Sequence, residues 1–193
     1  MAIPINIEDL LNKCKIESNR IEFKKGWNPD KIYRTICAFA NDFDNIGGGY
    51  IVVGIEVEER TGIAKRPVTG VPIEALNDIQ KDMVGYNNKI EPYYMPRIDV
   101  QEVDGKSVLV IWAPAGVNRP YNVRERVTAK QSPSKWYIRS GTSTIEAKGE
   151  VLDELREMAN RTPFDERGNE RIEISDISPA LVLDYLQTLS LIH

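Results

Sequence analysis

Histidine is nearly missing from this chain: the one copy, His193, is the last residue. A Ser-His-Asp or Cys-His arrangement therefore has no base within the body of the protein. The two cysteines, Cys14 and Cys37, are too few for a disulfide framework and have no histidines to join in a zinc site. Both fall in segments that read as helix, so reduced, buried thiols and a cytoplasmic setting are expected. No apolar run approaches the roughly 20 residues of a membrane span. The N-terminus has no basic segment followed by an apolar one, so neither a signal peptide nor a membrane partner is expected. A GxxxxGK[ST] phosphate loop is also missing. Any catalysis must rest on carboxylates, lysines, tyrosines or a hard cation held by oxygen.

What is present suffices for a real core: 41% of the 193 residues are hydrophobic. The length suggests one domain over 1–160 and an appendage over 161–193. In the appendage, Pro163 to Ser178 is polar and reads as a linker, and Pro179 to Leu189 as an amphipathic helix with no evident partner. The net charge of −4 is unevenly spread. Residues 150–193 carry a balance of −6 and residues 1–149 a balance of +2. Between Asn118 and Arg139, six cations (Arg119, Arg124, Arg126, Lys130, Lys135, Arg139) meet one acid, Glu125, with Tyr121, Trp136 and Tyr137 interleaved. Such a stretch is either a solvated strand pair with its aromatics in the core, or a surface that neutralises phosphates and stacks on bases.

The richest segment runs from Glu17 to Glu56. Arg20 to Lys24 alternates polar and apolar, which predicts a strand with Glu22 and Lys24 on one face and Ile21 and Phe23 on the other. Asn28-Pro29-Asp30 predicts a helix start, with Asn28 as cap, and the helix extends to about residue 42. Its apolar positions, Ile32, Tyr33, Ile36, Cys37, Phe39 and Ala40, form a wide stripe. Gly47 to Gly49 break the helix, and Tyr50 to Ile55 reads as a buried central strand.

Other elements follow from local signals. A helix is expected over 6–15, and a long turn region over 56–70. A second helix should begin at Pro72 and reach Val84. Strands are expected over 97–103 and 106–113, joined by Asp104-Gly105. Further strands are expected near 121–123 and 135–139, and a helix from Thr144 or Ile145 to about Arg161. The order implies an α+β fold, a mixed β-sheet flanked by helices, with a C-terminal helical extension.

Several of these pieces together resemble the Schlafen AlbA-like domain, found at the N-terminus of many bacterial chains classed as transcriptional regulators and in the Schlafen proteins. They are Glu17…Glu22-Phe-Lys24, Ala38-Phe-Ala-Asn41, Gly48-Gly-x-Ile-Val-Val-Gly-Ile55, Pro120-Tyr121 and Tyr137-Ile-Arg-Ser-Gly-Thr-Ser-Thr144. The resemblance spans about residues 10–160 and implies a nucleic-acid-binding module, with DNA ahead of RNA as partner. On that reading Lys24, Lys25, Arg119, Arg124, Arg126, Lys130, Lys135 and Arg139 contact phosphates, with Tyr121 as an aromatic platform. The Schlafen branch implies an alternative, a ribonuclease in which Glu17, Glu22 and Glu56 (or Glu58) hold Mg²⁺ or Mn²⁺. A third possibility is a dimerisation module of a larger ATPase-like regulator, and a homodimer is expected on either of the last two. The chain departs from the family pattern in its five residues between Asn41 and the glycines, in the longer loop after Glu56, and in Glu rather than Asp as the third acid. These departures favour binding over cleavage.

Overall fold

In a computed structural model, the described residues are 3, 6–13, 19–58 and 60–159. Strand β1 (Ile21–Lys24), helix α2 (Pro29–Asn41) and strand β2 (Gly49–Val53) form a parallel strand–helix–strand unit, preceded by a short helix α1 (Ile7–Lys13). Helix α3 (Ile73–Asn87) and a two-residue strand β3 (Ile90–Glu91) lead to the long hairpin β4 (Arg97–Val103) and β5 (Lys106–Ala113). Strands β6 (Asn122–Arg124), β7 (Ser134–Ser140) and β8 (Ser143–Glu146) and helix α4 (Glu150–Ala159) follow. The fold class is α+β, as expected, but the strands form two sheets rather than one. Their orders are β1-β2-β5-β4 and β3-β6-β7-β8.

Helix α2 lies between the two sheets. Asn28 Oδ1 accepts from Lys31 N at 3.1 Å and Pro29 occupies the first turn, where its missing N–H costs nothing. The helix ends at Asp42, which takes a left-handed conformation (φ 44°) while its N–H returns to Ala38 O. Ile32, Tyr33, Thr35, Ile36, Cys37, Ala38, Phe39, Ala40 and Asn41 are all buried. One core cluster joins this helix to Ile51 and Val53 of β2, to Leu109 and Ile111 of β5, to Leu76, Ile79 and Met83 of α3, and to Val123 and Tyr137 of the second sheet. The apolar stripe foreseen for one sheet therefore meets two. Burial pushes the Cys37 thiol up to about 12, so it is a packing group rather than a nucleophile.

The far face of the first sheet is covered by α1. Ile7, Leu10 and Leu11 pack there with Ile21, Phe23, Val52, Val108 and Val110. Because β2 contributes Ile51 and Val53 to one core and Val52 to the other, its apolar run is continuous. The far face of β7 packs Ile138 and Trp136 against Leu155, Val151 and Leu152 of α4.

Two expectations need correction. The helix expected from Thr144 or Ile145 begins at Glu150. Ser143–Glu146 instead pairs antiparallel with β7, in register Ser140↔Ser143 to Tyr137↔Glu146, across a two-residue turn with Gly141 at φ 57°. Gly149 (φ 53°) separates that strand from the helix. Helix α3 runs to Asn87, past the expected end at Val84, because Asn87 is buried and accepts the Tyr33 hydroxyl proton at 2.8 Å. Cys14, the 163–178 linker and the 179–189 helix lie outside the described residues. No helix among the described residues is long and apolar enough to cross a membrane.

Candidate nucleic-acid interface

The alternation in β1 is as expected: Ile21 and Phe23 face α1, and Glu22 faces α2. There Glu22 meets Arg139 from β7 of the other sheet. Arg139 Nη1 donates to Glu22 Oε2 at 2.7 Å and to Thr144 Oγ1 at 3.0 Å. The guanidinium also lies 5.2 Å from the centre of the Phe39 ring. The Lys24 ammonium donates to the other Glu22 oxygen. Thr144 in turn meets the Thr35 hydroxyl of α2 at 3.0 Å. Glu22 and Arg139 are 7% and 5% exposed, so this is a desolvated pair tying the sheets together. Arg139, expected at a phosphate, is not on the accessible surface.

A second buried knot explains the Ala-Phe-Ala-Asn and Pro-Tyr motifs. Asn41 Nδ2 donates to Tyr121 O at 2.9 Å and Tyr137 O at 2.8 Å, and Asn41 Oδ1 accepts from Tyr121 N at 2.7 Å. Tyr121 is itself buried, its ring edge-on to Tyr94 with centroids 5.2 Å apart. Its hydroxyl accepts from Asn118 N at 3.1 Å. The expectation that Tyr121 stacks on a base is thus corrected: its ring fills the core. Next to it, Asp42 Oδ1 accepts from the backbone amides of Ile46, Gly47 and Gly48 at 3.0–3.1 Å. A nest of amides of this kind suits an anion, but here the chain's own carboxylate fills it. The long spacing between Asn41 and the glycines thus accommodates a loop closed on Asp42, with Arg119 Nη1 donating to Asn41 O and Asp42 O at 3.3 Å.

The basic stretch divides by strand alternation. Lys135, Tyr137 and Arg139 point toward α2, Trp136 and Ile138 toward α4. Lys135 is held by Glu125 at 2.7 Å and Glu146 at 3.3 Å. These contacts raise the lysine's pKa and lower that of Glu125. Arg124 Nη1 caps Lys130 O at 3.1 Å. Arg126 and Lys130, on the loop between β6 and β7, are exposed, and no carboxylate among the described residues pairs with either side chain. That loop is tied to the start of α2: Asp30 Oδ1 accepts from Thr128 N at 3.0 Å and from its hydroxyl at 3.1 Å. The first turn of α2 adds Lys31, exposed and likewise without a carboxylate partner among the described residues, which the sequence reading missed.

Glu56 follows β2 at the carboxyl end of the parallel strands. Its oxygens take Lys25 Nζ and Lys65 Nζ, each at 2.8 Å, which hold its pKa down at about 2. Glu22 is engaged by Arg139 and Lys24, Glu56 by Lys25 and Lys65. The two carboxylates do not share a cation, and Glu17 lies outside the described residues. Among the described residues, no group of three carboxylate, His or Cys side chains could hold a metal. Among the described residues, Glu22 and Glu56 are each taken up by cations of the chain itself and do not form a Mg²⁺ or Mn²⁺ site, and no step through a metal follows from them.

The model of one family, Schlafen, AlbA_2, matches residues 17–148. The chain belongs to this family. The matched span runs from the Glu17 motif through β8, so every site described above lies inside the Schlafen AlbA_2 domain. No curated protein matches the chain. The chain is similar to the N-terminal domain of a "putative ATP-dependent DNA helicase RecG-related protein" from Nitrosomonas europaea. Identity is 25%, the TM-score is 0.49, and 74% of this chain and 92% of that one are covered. It is also similar to the DIP2311 protein from Corynebacterium diphtheriae, at 19% identity and a TM-score of 0.50, which shows a shared fold. That match covers 94% of this chain and 38% of the other, so the chain spans well under half the length of that relative.

Proposed function

We propose that this Schlafen AlbA_2 domain binds nucleic acid, DNA ahead of RNA, as the binding module of a transcriptional regulator. The observation that carries this is the loop between β6 and β7. It is fastened to the start of α2 through Asp30 and Thr128, and it presents Arg126 and Lys130 to solvent with no carboxylate partner among the described residues. Lys31 lies in the adjoining helical turn, and Lys25 on the link between β1 and α2. Together these cations form a phosphate-neutralising end to a chain of negative net charge. Arg119, Arg124, Lys24 and Lys135 have partial exposure and internal partners, and support this end rather than lead it. The ion pairs on Glu22 and Glu56 favour binding over hydrolysis.

Fluorescence anisotropy on duplex DNA, single-stranded DNA and RNA between 50 and 200 mM salt tests the proposal. Log affinity should fall linearly with log salt. The Arg126→Ala/Lys130→Ala double variant should lower the slope by about 2, one for each phosphate contact removed. Affinity that is flat in salt, or a slope unchanged by the double variant, would sink the electrostatic reading. Mn²⁺-dependent strand cleavage that disappears in Glu22→Gln would replace binding with nuclease activity.

A further inference from the structure

Outside the cation-rich loop, the molecule has an open cleft of about 530 Å³ at the carboxyl ends of β1 and β2, lined by Phe23, Lys25, Ile55, Glu56, Lys65 and Arg60. Crevices at the carboxyl ends of parallel strands are where open α/β sheets place their ligands. The backbone here is closely fixed. The amides of Gly54 and Ile55 both donate to Lys24 O, at 2.7 and 3.0 Å, and Lys65 N donates to Glu56 O at 2.7 Å. The 56–70 loop is anchored elsewhere by Arg66, whose guanidinium joins Glu8 and Asp104. Lys65 is therefore held beside Lys25 by main-chain geometry, although the two are 40 positions apart in sequence.

The two ammonium groups converge on one carboxylate, each 2.8 Å from a different oxygen of Glu56. An ordinary exposed ion pair is a one-to-one match on a convex surface and contributes little. Here two cations share one anion, a third cation (Arg60) lies on the rim, and the rest of the lining is Phe23, Ile55, Val57 and a second acid, Glu58. That second acid is turned to the Thr61 hydroxyl at 2.8 Å. The described lining thus holds three cations against two carboxylates, a surplus of one positive charge, and displacing Glu56 from between the lysines would let both take an anion.

We infer that this cleft takes the phosphate group of a nucleotide, gripped by Lys25 and Lys65, and that Glu56 occupies the phosphate's place until the ligand displaces it. Two phosphate oxygens would replace the two carboxylate oxygens, Arg60 would cover the outer face, and the half-buried Val57 would meet the nucleoside, with the buried Phe23 and Ile55 as the floor beneath it. The phosphate could come from a free mononucleotide or from the end of a strand. Lys25 is shared with the polynucleotide reading above, so the test rests on Lys65 and Glu56, and Arg126 and Lys130 are varied separately.

AMP, inorganic phosphate, and a short single-stranded oligonucleotide with either a 5′-phosphate or a 5′-hydroxyl would be titrated into the whole chain. Calorimetry and the amide resonances of Gly54, Glu56 and Lys65 would report binding. The probes with a terminal phosphate should shift these amides saturably, and the 5′-hydroxyl strand, which carries only internal phosphodiesters, should shift them less and independently of Lys65. Lys65→Ala should weaken binding about tenfold or more, as loss of a charge-assisted bond does. Glu56→Gln should tighten it by removing the internal competitor. Both side chains are at the surface, and a cooperative urea transition for Lys65→Ala, with native amide resonances away from the cleft, would exclude a folding defect. Binding by AMP but not by the phosphorylated strand end would assign the cleft to mononucleotides. Binding by inorganic phosphate as tight as by AMP would assign it to the phosphate group alone. If AMP binds while the Arg126→Ala/Lys130→Ala variant leaves polynucleotide affinity untouched, the cleft stands and the polynucleotide interface falls. Equal shifts from the 5′-hydroxyl probe, or Lys65→Ala binding like the parent, would overturn the cleft.

Discussion

Asn41 shows how much one side chain can carry. Its amide satisfies three main-chain groups, two on Tyr121 and one on Tyr137. Asn41→Ala would strand those groups in a fully buried site, at roughly 1–3 kcal/mol for each buried group left unpaired. We expect a total loss of about 3–5 kcal/mol by urea denaturation, and a loss under about 1 kcal/mol would refute the linchpin role. The Glu22–Arg139 pair should behave differently. Removing either partner leaves a buried charge and should cost about 3–5 kcal/mol, whereas Glu22→Met/Arg139→Met together should cost much less than the sum. Strict additivity in that double-mutant cycle would show that the two residues act separately.

Glu56 has a pH signature. Its pKa is lowered from 4.5 to about 2, chiefly by the Lys25 and Lys65 hydrogen bonds, so the folded state resists protonation more than the unfolded chain. The stabilisation is complete above pH 4.5 and is lost as pH falls toward 2. Asp104, lowered by Arg66 and the Val68 amide, acts in the same direction. The difference in urea midpoint between the parent and Glu56→Gln should therefore close on acidification. A pH-independent difference would be inconsistent with this coupling. None of these residue roles was visible in the sequence. Glu22 and Arg139 are 117 positions apart and Asn41 and Tyr121 are 80 apart, and local patterning carries no information at that range.

At the scale of elements, the sequence was most legible where a turn dictates its own geometry. Asp104 (φ 51°) and Gly105 (φ 69°) form a two-residue hairpin turn with both central residues at positive φ, and the flanking strands have the bounds foreseen for them. Strand β8 was not legible. Thr144 and Ile145 fit a helix start as well as a strand, and only the presence of β7 decides between them. The three glycines before β2 also separate once their surroundings are known. A Cβ on Gly48 would lie 2.1 Å from Ala113 O, and one on Gly49 2.4 Å from Phe39 Cε1. At Gly47 the nearest atom is 3.7 Å away, at the end of the flexible Arg20 side chain, and φ is 93°. Gly48→Ala and Gly49→Ala should each cost more than about 3 kcal/mol, and Gly47→Ala about 1–2 kcal/mol from backbone strain alone. Thermal melts of the three variants would show the ranking, and an equal effect at all three positions would refute it.

For the molecule as a whole, the α+β class and the family resemblance were readable because they rest on local motifs in fixed order. The division into two sheets was not, since nothing in the β6 and β7 sequences says which neighbour they choose. That division makes α2 the shared interior of both layers. Its amides from Ile32 to Ala40 should exchange with solvent only through global unfolding, and those of β3 and β8, at the sheet edges, much faster. Hydrogen-exchange mass spectrometry would decide this, and fast exchange in α2 would contradict its central position.

A helix enclosed on both sides answers to two sets of neighbours at once. Thr35 must suit Thr144, Arg34 must reach Glu125 O, and Tyr33 must reach Asn87, while Phe39 lies against both Gly49 of β2 and Arg139 of β7. A change acceptable to one layer is therefore vetoed by the other, and repairing it takes at least two further changes on segments far apart in the chain. The sequences open to α2 are correspondingly few, and the domain's freedom to diverge, including any retuning of what it recognises, is confined to its loops and rim.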